Sequence, residues 1–268
     1  MPAGSSDSIP DGGCDPRHYR TVLFYGAEAF ARIRAARVAV FGLGGVGGHA
    51  AVNLARSGIG ALHLVDFDTV SASSLNRSAF AGPGDVGRPK TDVLAEHLGR
   101  VCPDVAVTVT EAFCAQETLP HLVPADGPDR PDLVIDAIDS LNPKVNLLVW
   151  CREHGVPVIA SMGAAGKADV AAVRTGDLFA STGCALARHV RSRLRRRGVA
   201  AGIPAVWSIE PGDEVRADAA KELGDEAPAP QLRGRVRHTL ASQMTIPGVF
   251  GYGLAALALD LISGRTRP

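Results

Sequence analysis

Val38-Ala-Val-Phe-Gly-Leu-Gly-Gly-Val-Gly-Gly48 is the stretch that decides how this 268-residue chain is read. Four apolar residues run into Gly42, Gly44 and Gly47, spaced as G-x-G-x-x-G, and a helical pattern follows at once at Ala50, Ala51, Leu54 and Ala55. A strand that ends in glycines and opens a helix is a phosphate-binding turn. The glycines permit the tight turn and let phosphate oxygens approach the backbone. The helix N-terminus adds unpaired N–H groups and a partial positive charge. The next apolar run, Ala61 to Val65, ends at Asp66, the usual place for a carboxylate that accepts ribose hydroxyls. Glycines alone could merely pack a helix on a sheet; Asp66 at this spacing argues for a ligand.

Outward from this unit, His18 to Arg34 reads as a helix, with Leu23, Phe24, Ala27, Phe30 and Ala31 along one side. Helix 47–57 stops at Gly58, and strand 61–65 follows. A polar connection then runs from Thr69 to Lys90 and carries Asn76, Arg77 and Lys90. Connections of that length in a compact domain are usually functional. Next come helix 91–101, strand 105–110, an exposed turn at 124–131, strand 133–136, a helix entered at Pro143, and strand 156–160. This alternation predicts an α/β fold with a Rossmann-like, doubly wound, mostly parallel sheet. The first and fourth strands would flank the switch point, with Asp136 and Asp139 facing the glycine turn. Residues 17–268 are expected to form a single nucleotide-binding domain. Within it, 171–268 would be a less regular, substrate-binding C-terminal extension. Residues 1–16 read as a disordered tail and 214–237 as a mobile loop.

Composition narrows the function classes. Lys+Arg and Asp+Glu balance at 28 each, which excludes a globally basic nucleic-acid binder and leaves room for a local patch. Helix 185–197 supplies one: Leu186, Val190 and Leu194 form its apolar stripe, while Arg188, Arg191, Arg193, Arg195, Arg196 and Arg197 occupy the other sides. The five cysteines, at 14, 102, 114, 151 and 184, include no C-x-x-C pair, so a zinc ribbon is not expected. Their odd number and wide spacing suggest reduced thiols in a cytoplasmic protein. The most apolar stretch, Ile246 to Ile262, holds three glycines, Pro247 and Asp260, and is expected not to span a membrane.

The glycine fingerprint with a ribose carboxylate fits NAD or ATP. Attack at the α-phosphorus of ATP builds charge that needs cations, and Arg77 and Lys90 are placed to supply them. Asp139, at the opposite strand end, could hold a magnesium ion, which prefers carboxylate plus phosphate oxygens.

At these residues a family resemblance emerges. Gly-Leu-Gly-Gly-Val-Gly, Asp66-Phe-Asp68-Thr-Val, Leu75-Asn76-Arg77, Val86-Gly87-Arg-Pro-Lys90 and Asp136-Ala-Ile-Asp139-Ser together resemble the ubiquitin-activating-enzyme-like adenylyltransferases, over residues 17 to about 170. The resemblance implies that Gly44, Asp66, Asn76, Arg77, Lys90 and Asp139 bind ATP and Mg2+, with Gly42, Gly45, Gly47 and Asp68 in the same nucleotide-binding set. It also implies a homodimer in which an arginine, Arg17 or Arg20, enters the partner's site.

Within that group the chain looks most like the tRNA threonylcarbamoyladenosine dehydratase branch. The carrying residues are Leu-Phe-Tyr25-Gly26, Asp139-Ser-x-x-Pro143-Lys144, Cys151-Arg152, the arginine helix, Val206-Trp-Ser208-Ile-Glu210 and Pro247-Gly-Val-Phe-Gly251. Cys184-Ala185 departs from that branch's common Asp-Pro, Val170 follows Asp169 in place of proline, and Ala205 stands where some members carry a cysteine. The implied activity is ATP-dependent adenylation and dehydrative cyclisation of threonylcarbamoyladenosine in tRNA. Arg188, Arg191, Arg195 and Arg196 would contact tRNA phosphates. The alternatives are activation of the C-terminal glycine of a ubiquitin-like or sulfur-carrier protein, and a non-catalytic nucleotide-binding module.

Overall fold

The computed structural model describes residues 15–211 and 241–265. All but the last two residues of the expected tail, and the whole of the expected 214–237 loop, lie outside the described residues.

Strand β1 (Arg37–Phe41) is the third strand of a seven-stranded sheet of order β3-β2-β1-β4-β5-β7-β6. The other strands are β2 (Ala61–Asp66), β3 (Ala106–Glu111), β4 (Leu133–Asp136), β5 (Val158–Ser161), β6 (Val173–Asp177) and β7 (Pro204–Ser208). All neighbours pair in parallel except β6 with β7. The helices are α1 (Tyr19–Tyr25), α2 (Ala27–Ala35), α3 (Gly47–Arg56), α4 (Lys90–Val101), α5 (Leu119–Leu122), α6 (Leu141–Glu153), α7 (Ala185–Arg196) and α8 (Thr245–Ser263).

Near-continuous apolar strands are what a parallel sheet covered on both faces requires. Along β1, Val38 and Val40 enter one core with α2, α3, α4 and α8; Ala39 and Phe41 enter the other with α5, α6 and α7. Because β1 pairs with both β2 and β4, the sheet reverses its winding at this strand, and the crevice opens at the C-terminal ends of β1 and β4.

Three expectations need correcting. The single helix 18–34 is two helices, because Gly26 at φ +83° turns the chain between α1 and α2. The C-terminal part is more regular than expected: β7 inserts between β5 and β6 and joins the same sheet. On α7 the buried stripe is Ala187, Val190 and Leu194, with Leu186 only half-buried; the small Ala187 is what the periodicity missed.

Helix α8 packs on the core and is longer than the stretch Ile246 to Ile262 that marks it. It runs 19 residues, with a mean hydropathy of 1.6 over its most apolar window, so by length and composition alone it could cross a membrane. Half of that window is buried inside the fold, with Ile246, Phe250, Leu254, Ala255, Ala258 and Leu259 in the core beside α3 and the sheet. Its glycines are contact points. A Cβ at Gly251 would stand 2.6 Å from both His49 Cβ and the Val46 carbonyl oxygen, so α8 seats on the first turn of α3 only because that position lacks a side chain.

Candidate active site

The glycine turn joins β1 to α3. Gly42 has φ +86°, and a Cβ there would meet the Ala137 carbonyl at 2.9 Å, which brings the end of β4 against the turn. Gly47 is tighter still: its Cβ would overlap the Gly42 carbonyl oxygen at 1.8 Å. Gly44, by contrast, has nothing within 4 Å of an added Cβ. The turn is therefore packed on its protein side and open at Gly44, above the first N–H groups of α3.

Asp66 braces this turn. Its buried carboxylate accepts from the Leu43 N–H at 2.6 Å and from the Asp68 N–H at 2.8 Å. Burial pushes the Asp66 carboxyl up from the usual range, and the nearby Lys90 ammonium is the largest opposing influence. Two backbone donors leave further lone pairs on the carboxylate, so it can also accept from a ribose.

Folding of the long polar connection explains how Lys90 reaches Asp68. Two 3-10 turns, Ala72–Arg77 and Pro83–Asp85, bend the segment back on itself. A bridge between Thr69 and Pro89 closes it, with the Lys90 N–H donating to the Asp68 carbonyl at 3.1 Å. Lys90, at the first turn of α4, then pairs its Nζ with Asp68 Oδ2 at 2.9 Å. Arg77 donates to the Ser73 carbonyl at 2.8 Å and to Asn76 Oδ1 at 3.0 Å. Its stem covers the glycine turn, where a Cβ at Gly45 would lie 3.1 Å from Arg77 Cγ and 3.0 Å from Pro247 Cβ. Asn76 Nδ2 donates to the Ser242 carbonyl at 3.0 Å, tying the connection to the segment before α8.

Gly42, Gly44, Gly45, Gly47, Asp66, Asp68, Asn76, Arg77 and Lys90 are thus gathered around one turn. Asp139 lies exposed on the loop after β4, two residues beyond Ala137, with the Ser140 hydroxyl donating to it at 3.2 Å. Among the described residues no group of three or more His, Cys, Asp or Glu could hold a metal. A magnesium ion here would take Asp139 plus phosphate oxygens and water, an arrangement that ion accepts.

Asp136 does not face the crevice, contrary to expectation. It is wholly buried and pairs with Lys144, also wholly buried, at 2.7 Å. Lys144 Nζ donates as well to the Ser161 carbonyl at 2.9 Å, and Asp136 Oδ1 accepts from the Ile138 N–H at 3.0 Å. Sequence reasoning passed over this role of Lys144. The available signal was a lysine set among Val145, Leu147 and Leu148 on a helix facing the sheet.

The N-terminal arginines are not brought to their own chain's glycine turn. Arg17 pairs with Asp15 and with Asp104, which precedes β3 and so lies at the opposite end of the strands. Arg20 is exposed and makes no ion pair among the described residues. On α7, Arg191 is half-buried and donates to the Ser181 hydroxyl, Arg193 donates to Asn142 Oδ1, and Arg195 lies 5.5 Å over the Phe179 ring. Arg188, Arg196 and Arg197 are exposed.

The four described cysteines are all buried. Burial pushes the Cys114 thiol up to about 12 and raises Cys102 and Cys151 as well. Cys184 accepts from the Ala187 N–H at 3.5 Å and so caps α7. Thiols held protonated and out of reach are poor nucleophiles. Cys184→Ser, which keeps a capping atom, is expected to retain most activity, read as AMP release. A covalent enzyme thioester trapped on any of these four would contradict that expectation.

A doubly wound sheet with a glycine turn, a bracing carboxylate, and Arg77 and Lys90 carried back beside it on one connection is the frame of a nucleotide-binding protein. The chain belongs to the ThiF family, whose profile matches residues 17–268. It is 36% identical over 253 residues to tRNA threonylcarbamoyladenosine dehydratase 2 of Saccharomyces cerevisiae, covering 91% of this chain and 56% of that protein. It is 34% identical over 245 residues to the tRNA threonylcarbamoyladenosine dehydratase of Bacillus subtilis, covering 91% and 93%. The chain therefore spans just over half the length of the yeast relative and nearly all of the bacterial one. The crystal structure of Escherichia coli tRNA N6-threonylcarbamoyladenosine dehydratase in complex with ATP superposes with a TM-score of 0.79 at 29% identity, covering 93% of this chain and 94% of that one.

Proposed function

We propose that this protein uses ATP to adenylate the threonyl carboxylate of threonylcarbamoyladenosine in tRNA, next to the anticodon, and then closes that group into a ring. The observation that carries the reading is the near-complete two-way coverage with the Bacillus subtilis dehydratase. The molybdopterin-synthase adenylyltransferase of Salmonella typhimurium, by contrast, matches over only 51% of this chain.

A carboxylate is a poor electrophile. Its oxygen attacks the α-phosphorus, pyrophosphate leaves, and the acyl-AMP gains a good leaving group. The neighbouring carbamoyl group, held on the same nucleoside, attacks the activated carbon, loses a proton and expels AMP. The net change is loss of water, and proximity favours closure. Gly44 and the α3 N-terminus receive the phosphates, Asp66 the ribose, and Arg77 and Lys90 the charge that builds at the α-phosphate. Magnesium held by Asp139, when bound, would neutralise phosphate charge.

The reading extends to a cytoplasmic homodimer. Leu23 and Phe24 of α1 are 68% and 62% exposed, and Tyr252 and Leu261 of α8 54% and 52%; a second copy would cover such apolar surface. Arg17 or Arg20 would then reach the partner's site.

The test is ATP turnover with tRNA from cells. AMP should form with tRNA bearing the threonylcarbamoyl group and not with tRNA lacking it. AMP formation driven instead by a small protein ending in Gly-Gly would favour the alternative. The arginine helix makes a separate forecast. Of the exposed arginines, Arg188, Arg196 and Arg197 make no side-chain hydrogen bond, ion pair or ring contact among the described residues, so replacing all three by Ala should weaken tRNA binding. The salt slope should flatten by roughly one unit per lost phosphate contact. An unchanged affinity and slope would reduce α7 to a solvated face.

A further inference from the structure

We propose that His49 is a positioning residue that sets the phosphate-binding turn; the inference rests on the ATP reading above. His49 lies in the first turn of α3 and is 3% exposed. Its Nδ1 is 2.6 Å from the Gly45 carbonyl oxygen, four residues back. A carbonyl only accepts, so Nδ1 carries the proton. The flanking bonds, Gly48 N–H to Gly44 O and Ala50 N–H to Val46 O, are each 3.0 Å and made by backbone. At Gly45 the imidazole supplies the donor.

The consequence lies on the other side of the same peptide. In a trans peptide the C=O and the next N–H point in opposite directions. The ring draws the Gly45 carbonyl along α3, so the Val46 N–H is turned out of the helix N-terminus. Gly44, two residues earlier in the same turn, has nothing within 4 Å of an added Cβ. Glycines 44 and 45 give this segment unusual conformational freedom, and an unheld peptide would spend part of its time with a carbonyl toward the phosphates. The donor is itself held. A Cβ at Gly248 would sit 3.5 Å from His49 Nε2, a Cβ at Gly251 would clash with His49 Cβ, and Tyr252 meets the ring edge-on with centroids 5.8 Å apart. Helix α8 thus fixes the imidazole, and the imidazole fixes the turn. The ligand served is the phosphate chain of a nucleoside triphosphate.

The test compares His49→Asn with His49→Leu. Asn places an amide N–H where Nδ1 stood and can bond the carbonyl four residues back; Leu has nearly the same volume and no donor. Both lose the ring contact with Tyr252 equally, so their difference isolates the hydrogen bond. Expected are an ATP Kd and KM raised about tenfold in the Leu variant, equivalent to about 1.4 kcal/mol, with kcat at saturating ATP little changed. The Asn variant should stay within a few-fold of wild type. Equal ATP affinity in the two variants, whether near wild type or equally weak, would overturn the proposal and leave His49 a packing residue. Failure of the wild-type protein to bind ATP would instead remove the nucleotide reading, and this inference with it.

Discussion

Lys90→Ala is expected to slow AMP formation by roughly two to three orders of magnitude, the effect of removing one charge partner from a transition state. The ammonium sits at the first turn of α4, mostly shielded, 2.9 Å from Asp68 and near enough to Asp66 to lower its carboxyl against burial. In the resting protein it is paired; when the α-phosphate gains charge, a shielded ammonium is worth more than one in water. The loss should therefore fall on kcat more than on KM. Stability should change by no more than about 1 kcal/mol, because the Asp68 carboxylate left behind is partly solvated. Arg77→Ala should slow the reaction comparably and also raise KM for ATP, since its stem covers Gly45. ATP–pyrophosphate exchange beside a melting curve separates these effects. Near-normal exchange in both variants would remove the two cations from the mechanism.

The site was legible in the sequence to the extent that its chemistry is local. The glycine spacing and Asp66 sit on one strand–turn–helix–strand unit, where period and turn chemistry determine placement. Arg77 and Lys90 were legible only as members of a long polar connection. That Lys90 comes back to Asp68 depends on the Thr69–Pro89 bridge, which no periodicity announces. Asp136 shows the limit from the other side. An aspartate at a strand end near a ligand crevice reads as a ligand, and nothing local says that a lysine eight residues on will be buried against it. The insertion of β7 between β5 and β6 is likewise non-local: a short apolar run reads as a strand or a helix segment, and only the sheet decides. Arg191 reads as an exposed basic residue, yet it is half-buried and donates to Ser181, brought in from the preceding turn; Arg195 stays exposed while lying over the Phe179 ring.

Lys144→Met is expected to destabilise the fold by about 3–5 kcal/mol, because it strands a buried carboxylate without its counter-charge. Both partners are fully buried, so the carboxylate left behind has no contact with water. For a domain of this size the melting temperature should fall by roughly 6–20 °C. The pH dependence has a defined sign. Burial already pushes the Asp136 carboxyl up, with Lys144 the largest opposing influence; without Lys144 only the Ile138 N–H still opposes that upward push. The folded state of the variant then holds its proton to higher pH than the unfolded chain does. Its stability deficit should be largest above the raised pKa and should shrink as pH falls through it. A second change, Asp136→Asn in the Lys144→Met background, removes the charge while keeping an acceptor for the Ile138 N–H. It should recover more than half of the loss, read as a shift in urea midpoint at constant slope. If Lys144→Met melts like wild type, the pair is not what holds this corner together. The pair's value then separates into two parts. Stability is recoverable by a neutral pair, and an acceptor at position 136, charged or not, keeps the Ile138 N–H and with it the aim of residues 137–139. A double variant that regains its melting temperature but not its ATP–pyrophosphate exchange would show that the buried charge serves the site more than the fold.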